Sequence, residues 1–227
     1  MTLTPTKLEK LAQRYNTDKG KHWHNYTPYY EDLLNQKRDR TFSMIEIGVG
    51  GTTYAGSPGA SISMWSEYLP FCDLHGIDID ISCAKLSLPN TTIHIGDQED
   101  KDFLNEVFSR LKFPLEVVID DGSHINSKTI KTFNILFKKI APGGIYIIED
   151  THCTYEKKFD NNRDEFDKFL LKVMRSIDTD GQKLTEHNMQ DFTKIPNKVR
   201  NRLPYLQRWV EKIHYSRGLC VIYKRSV

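Results

Sequence analysis

Acidic residues that end apolar runs are the feature of this chain most able to do chemistry. Ile119-Asp120-Asp121-Gly122-Ser123-His124 closes one such run, and Ile148-Glu149-Asp150-Thr151-His152 closes the next. If the two runs are neighbouring parallel strands, Asp121, Glu149 and Asp150 project from one carboxyl edge, where open α/β sheets bind ligands. Three carboxylates at one point repel each other unless a hard cation neutralises them. Mg2+ suits that donor set, because it takes a few oxygen ligands and keeps several waters. His124 follows Asp121 past a glycine turn, which sets an imidazole beside the metal. Imidazoles ordinarily titrate near 6.5, so this group can accept a proton near neutrality. The bland alternative is that acids at strand ends cap the next helix, a task open here to Ser123 or Asn126.

A second feature lies earlier. Glu46-Ile47-Gly48-Val49-Gly50-Gly51 directly follows an apolar run, and glycines there let the backbone turn sharply and approach a ligand. A dinucleotide fingerprint would place a third glycine where this chain has Thr53, and the loop runs on to Gly59 before any helical pattern starts. No helix N-terminus follows at once to receive a pyrophosphate, so an NAD-dependent dehydrogenase is disfavoured. Asp78 ends the next apolar run, where a carboxylate can accept hydrogen bonds from ribose hydroxyls. Asp97 and Gln98 follow a third run; they can hold an adenine amino group or cap the helix after them. Together these residues indicate a nucleoside-bearing cofactor other than NAD.

The elements that must position these groups are legible as alternating periods. Strand-like runs occupy 41–47, 72–77, 91–95, 115–119 and 144–148, and helical patterns occupy 60–68, 100–111 and 127–140. Ala141-Pro142-Gly143-Gly144 stops the last helix and turns the chain into the next strand. Such alternation predicts right-handed crossovers and a doubly wound, mostly parallel α/β sheet. Residues 4–15 and 27–35 read as helices ahead of it, the second with Thr27 as N-cap before Pro28. Beyond it, 160–199 is charged and poorly periodic, and Ser216-Arg217-Gly218 joins 209–215 to 219–224 as a closing antiparallel hairpin.

Composition excludes several classes. The 227 residues carry 32 Lys+Arg against 30 Asp+Glu, a net charge of +2, so neither wholesale disorder nor a chain-wide polyanion binder is indicated. Four cysteines without a CxxC pair read as reduced thiols, and the start reads as no secretory signal. No apolar run approaches the roughly 18 residues that span a bilayer. These features predict a cytoplasmic chain with no membrane partner. From Phe192 onward nine Lys/Arg face Glu211 alone, but without an aromatic-interleaved RNA motif this basic tail reads first as a solvated face, not a nucleic-acid surface.

With those residues in view, the sequence resembles the class I S-adenosyl-L-methionine-dependent methyltransferases. More narrowly it is similar to the metal-dependent sugar O-methyltransferases of mycinamicin, tetracenomycin and aminocoumarin biosynthesis. The segments that carry the resemblance are NTDKGKHWHNYTPYYE, IEIGVGG, GASISMW, GDQED, VIDDGSH and GGIYIIEDTH, which span about residues 16–155. The resemblance implies a Rossmann-like seven-stranded sheet, with 1–40 as a helical cap and 41–227 as the catalytic domain of one globular unit. It implies Mg2+ on Asp121, Glu149 and Asp150, and His124 as general base. S-adenosyl-L-methionine would meet Glu46, Gly48, Gly50, Asp78, Asp97, Gln98 and Asp120. It further implies methyl transfer to a sugar hydroxyl of a glycosylated natural product, polysaccharide precursor or nucleotide sugar, by a homo-oligomer. Catechol-type methyltransferases have a lysine where this chain has His124. A non-catalytic cofactor-binding module has no reason to hold three repelling carboxylates together. His22 and His24 flank Trp23 and are disfavoured as metal ligands, and the resemblance leaves a lid role for them open without assigning it; His152 and His214 read as surface or hairpin residues.

Overall fold

A computed structural model describes residues 4–50, 58–159, 162–178 and 192–226. Among these residues seven strands form one sheet: β1 (Ser43–Ile47), β2 (Asp73–Asp78), β3 (Thr91–Ile95), β4 (Leu115–Asp120), β5 (Ile145–Glu149), β6 (Val210–Ser216) and β7 (Leu219–Lys224). Their order is β3-β2-β1-β4-β5-β7-β6. The pairs β2–β3, β1–β2 and β1–β4 are parallel, whereas β7 runs antiparallel to both β5 and β6. The central strands are apolar on both faces, as strands sandwiched between helices must be: β1 and β5 are buried at every position. Contacts group the chain into two compact units, residues 1–123 and 124–227.

In the first unit, α1 (Lys7–Tyr15) and α2 (Thr27–Leu34) precede the sheet, and α3 (Ala60–Tyr68) and α4 (Lys101–Ser109) cross between strands. Thr6 caps α1 by accepting the Glu9 N–H, and Asp100 caps α4 by accepting those of Asp102 and Phe103. Tyr30 of α2 meets Trp65 of α3 edge-on with centroids 4.9 Å apart, and both are buried. The expected Thr27 cap is not observed. Tyr26 is the N-cap, Thr27 is already helical, and its hydroxyl donates to the buried Glu9 carboxylate. A tertiary acceptor has outcompeted the local one.

In the second unit, α5 (Asn126–Leu136) and α6 (Arg163–Asp178) pack through Phe133 and Phe169, whose rings lie 5.0 Å apart. Helix α6 falls inside the stretch read as poorly periodic, which corrects that reading for its part of 160–199. Its buried residues Phe166, Phe169, Val173 and Ser176 form a helical stripe so thin that the surrounding charges hid it. The hairpin β6–β7 turns at Gly218, whose φ of +77° only glycine adopts cheaply. Two tail cations prove to be internal fasteners. Lys224 Nζ donates to the Phe137, Lys138 and Ile140 carbonyls beyond α5, and Arg225 donates to the carbonyls of Arg208 and Val210. Among the described residues no helix is long and apolar enough to cross a membrane.

Candidate active site

In the first unit, the carboxyl ends of β1, β2 and β4 build a candidate site. Register sets Ile47 beside Ile77 and Asp120, so the glycine turn after β1 lies between the ends of its neighbours. Gly48 has φ +83°, and a Cβ there would come within 2.0 Å of the Asp121 carbonyl oxygen. Only glycine allows that approach. Asp78 holds the turn: its Oδ2 accepts the N–H groups of Val49 (3.0 Å) and Gly50 (3.1 Å), and its Oδ1 that of Asp80. The loop returns at Gly59, whose N–H donates to the Val49 and Gly50 carbonyls, and α3 starts one residue later. Thr53, with the rest of 51–57, lies outside the described residues.

Glu46 carries the most unusual electrostatics here. It is wholly buried; its Oε1 accepts from Trp65 Nε1 at 2.9 Å, and among the described residues its Oε2 has no hydrogen-bond partner. Burial pushes its carboxyl from 4.5 up to about 7, against the opposing pull of Lys19 and the Trp65 hydrogen bond. A buried carboxylate oxygen left open among the described residues is costly, although the Ser61 side chain also hydrogen-bonds to this carboxyl.

Asp121 is paired rather than capping. Its Oδ2 accepts from Lys19 Nζ at 2.6 Å, and the fully buried Lys19 ammonium also lies 3.9 Å from Glu46 Oε1. Sequence pattern assigns Lys19 no role, because nothing in a single sequence signals that a lysine is buried. Its strap is held by backbone bonds from Tyr26 and Thr27 to the Lys19 carbonyl, and by Glu9, which accepts the Lys21 N–H. Farther along that strap His24 stacks on Tyr26. Gln98 bridges the end of β4, donating to Asp120 Oδ1 at 3.2 Å and accepting the Ser123 N–H at 2.9 Å. Both ends of its amide therefore shape the DDGS turn, while Asp97 accepts the Glu99 N–H.

His124, Glu149 and Asp150 lie in the second unit. The N-cap of α5 is Ile125, with no side-chain bond, so neither Ser123 nor Asn126 caps this helix. Asn126 instead donates to the Asn162 carbonyl and accepts from the Thr154 hydroxyl. Glu149 ends β5 almost fully buried, and Asp150 follows it. His124 (φ +54°) and Asp150 (φ +51°) both adopt the left-handed conformation that non-glycine residues avoid. Such strain persists where the surroundings impose it, and it concentrates at working sites. His124 Nε2 lies 3.8 Å from Asp150 Oδ2, and the imidazole meets Phe159 edge-on.

This strand order with its antiparallel last hairpin is the class I methyltransferase fold. Within that class the chain's homologues are sugar O-methyltransferases of macrolide and tetracenomycin pathways. It is 37% identical over 219 residues to mycinamicin VI 2''-O-methyltransferase of Micromonospora griseorubida, covering 96% of this chain and 52% of that protein. It is 35% identical over 219 residues to demethylmacrocin O-methyltransferase of Streptomyces fradiae, covering 96% of this chain and 53% of that one. The structure of MycE methyltransferase from the mycinamycin pathway, in complex with Mg, SAH and mycinamycin VI, superposes with a TM-score of 0.78. That match has 28% identity and covers 97% of this chain and 55% of that one. The chain thus spans about half the length of the curated relatives it matches. No family model matches it.

Proposed function

We propose that this chain transfers a methyl group from S-adenosyl-L-methionine to a sugar hydroxyl, with Mg2+ as an obligatory ion. The observation that carries the reading is Glu46: a wholly buried carboxylate with one oxygen open among the described residues, beside a glycine turn that approaches the backbone of β4's end. The α-ammonium of a methionine moiety is the donor such an oxygen fits. Asp78, beyond its two bonds to the turn, keeps lone pairs for ribose hydroxyls, and Gly48 and Gly50 leave room for the ligand's backbone-like end. Asp97, Gln98 and Asp120 line the adenine side of this reading, Gln98 by shaping the turn. The hard oxygens of Asp121, Glu149 and Asp150 fit Mg2+. The cap proposed over residues 1–40 is supported by Lys19, which reaches from it to Asp121.

Bound Mg2+ supplies Lewis acidity that makes a sugar hydroxyl easier to ionise, and the sulfonium cofactor supplies an already activated methyl. The chain's own residues do the rest. His124 takes the hydroxyl proton on Nε2, the nitrogen that faces Asp150 at 3.8 Å, and that carboxylate stabilises the imidazolium formed. Glu46 and Asp78 hold the cofactor so that attack on the methyl is in line, which supplies much of the rate. The relatives' action on sugars of glycosylated natural products supports the acceptor class.

Calorimetric titration of S-adenosylhomocysteine, with Mg2+ and with EDTA, tests the cofactor first. We expect micromolar binding, and methyl transfer to glycosylated acceptors only with metal. Asp121→Ala is expected to abolish metal-dependent turnover while leaving cofactor binding largely intact; undiminished activity in EDTA would refute the metal.

A further inference from the structure

The structure assigns a second cation site, for a thiophilic divalent ion such as Zn2+, to His152, Cys153 and Glu156. These residues sit on and just after the short 3-10 helix Thr151–Tyr155 that follows Asp150. One ligand atom from each lies within 4.8 Å of the others. His152 Nε2 and Glu156 Oε1 are 3.5 Å apart, close to the edge of about 3.4 Å that a tetrahedron with bonds of about 2.1 Å requires. Lys158 Nζ holds the other Glu156 oxygen at 3.0 Å, which fixes the carboxylate while Oε1 stays toward His152.

Donor chemistry separates this site from the carboxylate set. Thiolate and imidazole favour Zn2+ over Mg2+, whereas Asp121, Glu149 and Asp150 offer hard oxygen alone. Access is one-sided. The Cys153 residue is 4% exposed, while the His152 and Glu156 side chains are 41% and 39% exposed, leaving an entry route and room for water as fourth ligand. Binding forms a metal–sulfur bond and releases the thiol proton to solvent. The other cysteines do not compete: Cys72, Cys83 and Cys220 are buried and belong to no such group among the described residues.

Cys153 is shared with a neighbouring group, because its sulfur also lies within 4.8 Å of ligand atoms of His124 and Asp150. An ion drawn to Cys153 therefore borders the residues proposed as base and Mg2+ ligand. It inhibits methyl transfer without displacing Mg2+; this consequence, unlike the site itself, rests on the function proposed above.

The test titrates Cd2+ into the metal-free full chain, with and without excess Mg2+, and follows the ultraviolet cadmium–thiolate band. One equivalent is expected, unaffected by Mg2+ and absent in Cys153→Ser, which retains S-adenosylhomocysteine binding. His152→Asn and Glu156→Gln, at half-exposed positions that the fold tolerates, are expected to weaken Cd2+ by at least about tenfold. No band in the wild type, a full band in Cys153→Ser, or unchanged affinity in both other variants overturns the site. Zn2+ is expected to inhibit the Mg2+-dependent reaction in the wild type and not in Cys153→Ser. Should the wild type show no methyl transfer at all, the reading of function fails, and the cadmium band still decides the site.

Discussion

Glu46 and Lys19 form an unusual pair, since ionisable groups are rarely fully buried without several partners. The Glu46 carboxyl is pushed up to about 7, chiefly through burial. Because this value is raised in the folded state, the stability it contributes is complete below about 4.5 and is lost as pH rises through about 7. In the proposed role of Glu46, cofactor binding has the opposite sense, since an ammonium pairs with the ionised form. S-adenosylhomocysteine affinity should rise by up to about tenfold per pH unit approaching pH 7 and then level off, and Glu46→Gln should bind weakly with a flat profile. Calorimetry across pH 5.5 to 8.5 checks both (a range of roughly 1.5 units either side of that value). Lys19→Met leaves Asp121 and Glu46 without their shared cation. Breaking a buried pair in this way costs about 3 kcal/mol or more, so denaturant melts should show a lowered midpoint at unchanged slope.

At the scale of elements, β2 and β3 hide a polar chain within the sheet. His75 of β2 contacts His94 of β3 at 2.8 Å and Asp73 at 3.0 Å, and all three are buried. Asp73 also accepts from Ser43 of β1 and from the Lys112 N–H, which ties the outer strands to the centre. Burial holds both imidazoles below their ordinary value, His94 at about 4. Depressed in the folded state, they contribute stability that is full above about 6.5 and is lost as pH falls toward about 4. In the window shared with Glu46 the two effects oppose each other. Equilibrium unfolding of His94→Gln should show a shallower acid limb, by up to about 1.4 kcal/mol per pH unit for each proton no longer taken up. An acid limb identical to wild type would remove His94 from that account.

For the whole molecule, ligand and fold are linked by mass action. S-adenosylhomocysteine at a hundred times its dissociation constant should stabilise the chain by about 2.7 kcal/mol, and Glu46→Gln should lose most of that gain at the same concentration. Thermal melts over a ligand series check this. The chain matches about half of each curated relative, so acceptor choice is a property to be measured on the chain as it stands. Two of the nine cations of the basic tail, Lys224 and Arg225, are taken up by backbone carbonyls rather than left to face a partner.

The local patterns were enough for the sheet and for helices α1 to α5, but not for α6. The runs 91–95 and 219–224 and the helix 60–68 match their observed bounds, and the other runs differ by a residue or a few at their ends. That is because two-residue and 3.6-residue periods are written by neighbours in the chain. The acids at the ends of β4 and β5 were legible for the same reason: a strand that stops in Asp or Glu announces its edge. What neighbours do not determine is which distant group meets which. Lys19 on Asp121, Thr27 on Glu9, His75 on His94 and Cys153 beside His152 and Glu156 all follow from burial and close packing. Only the folded chain, by excluding water, decides whether a charge is solvated or must find a partner.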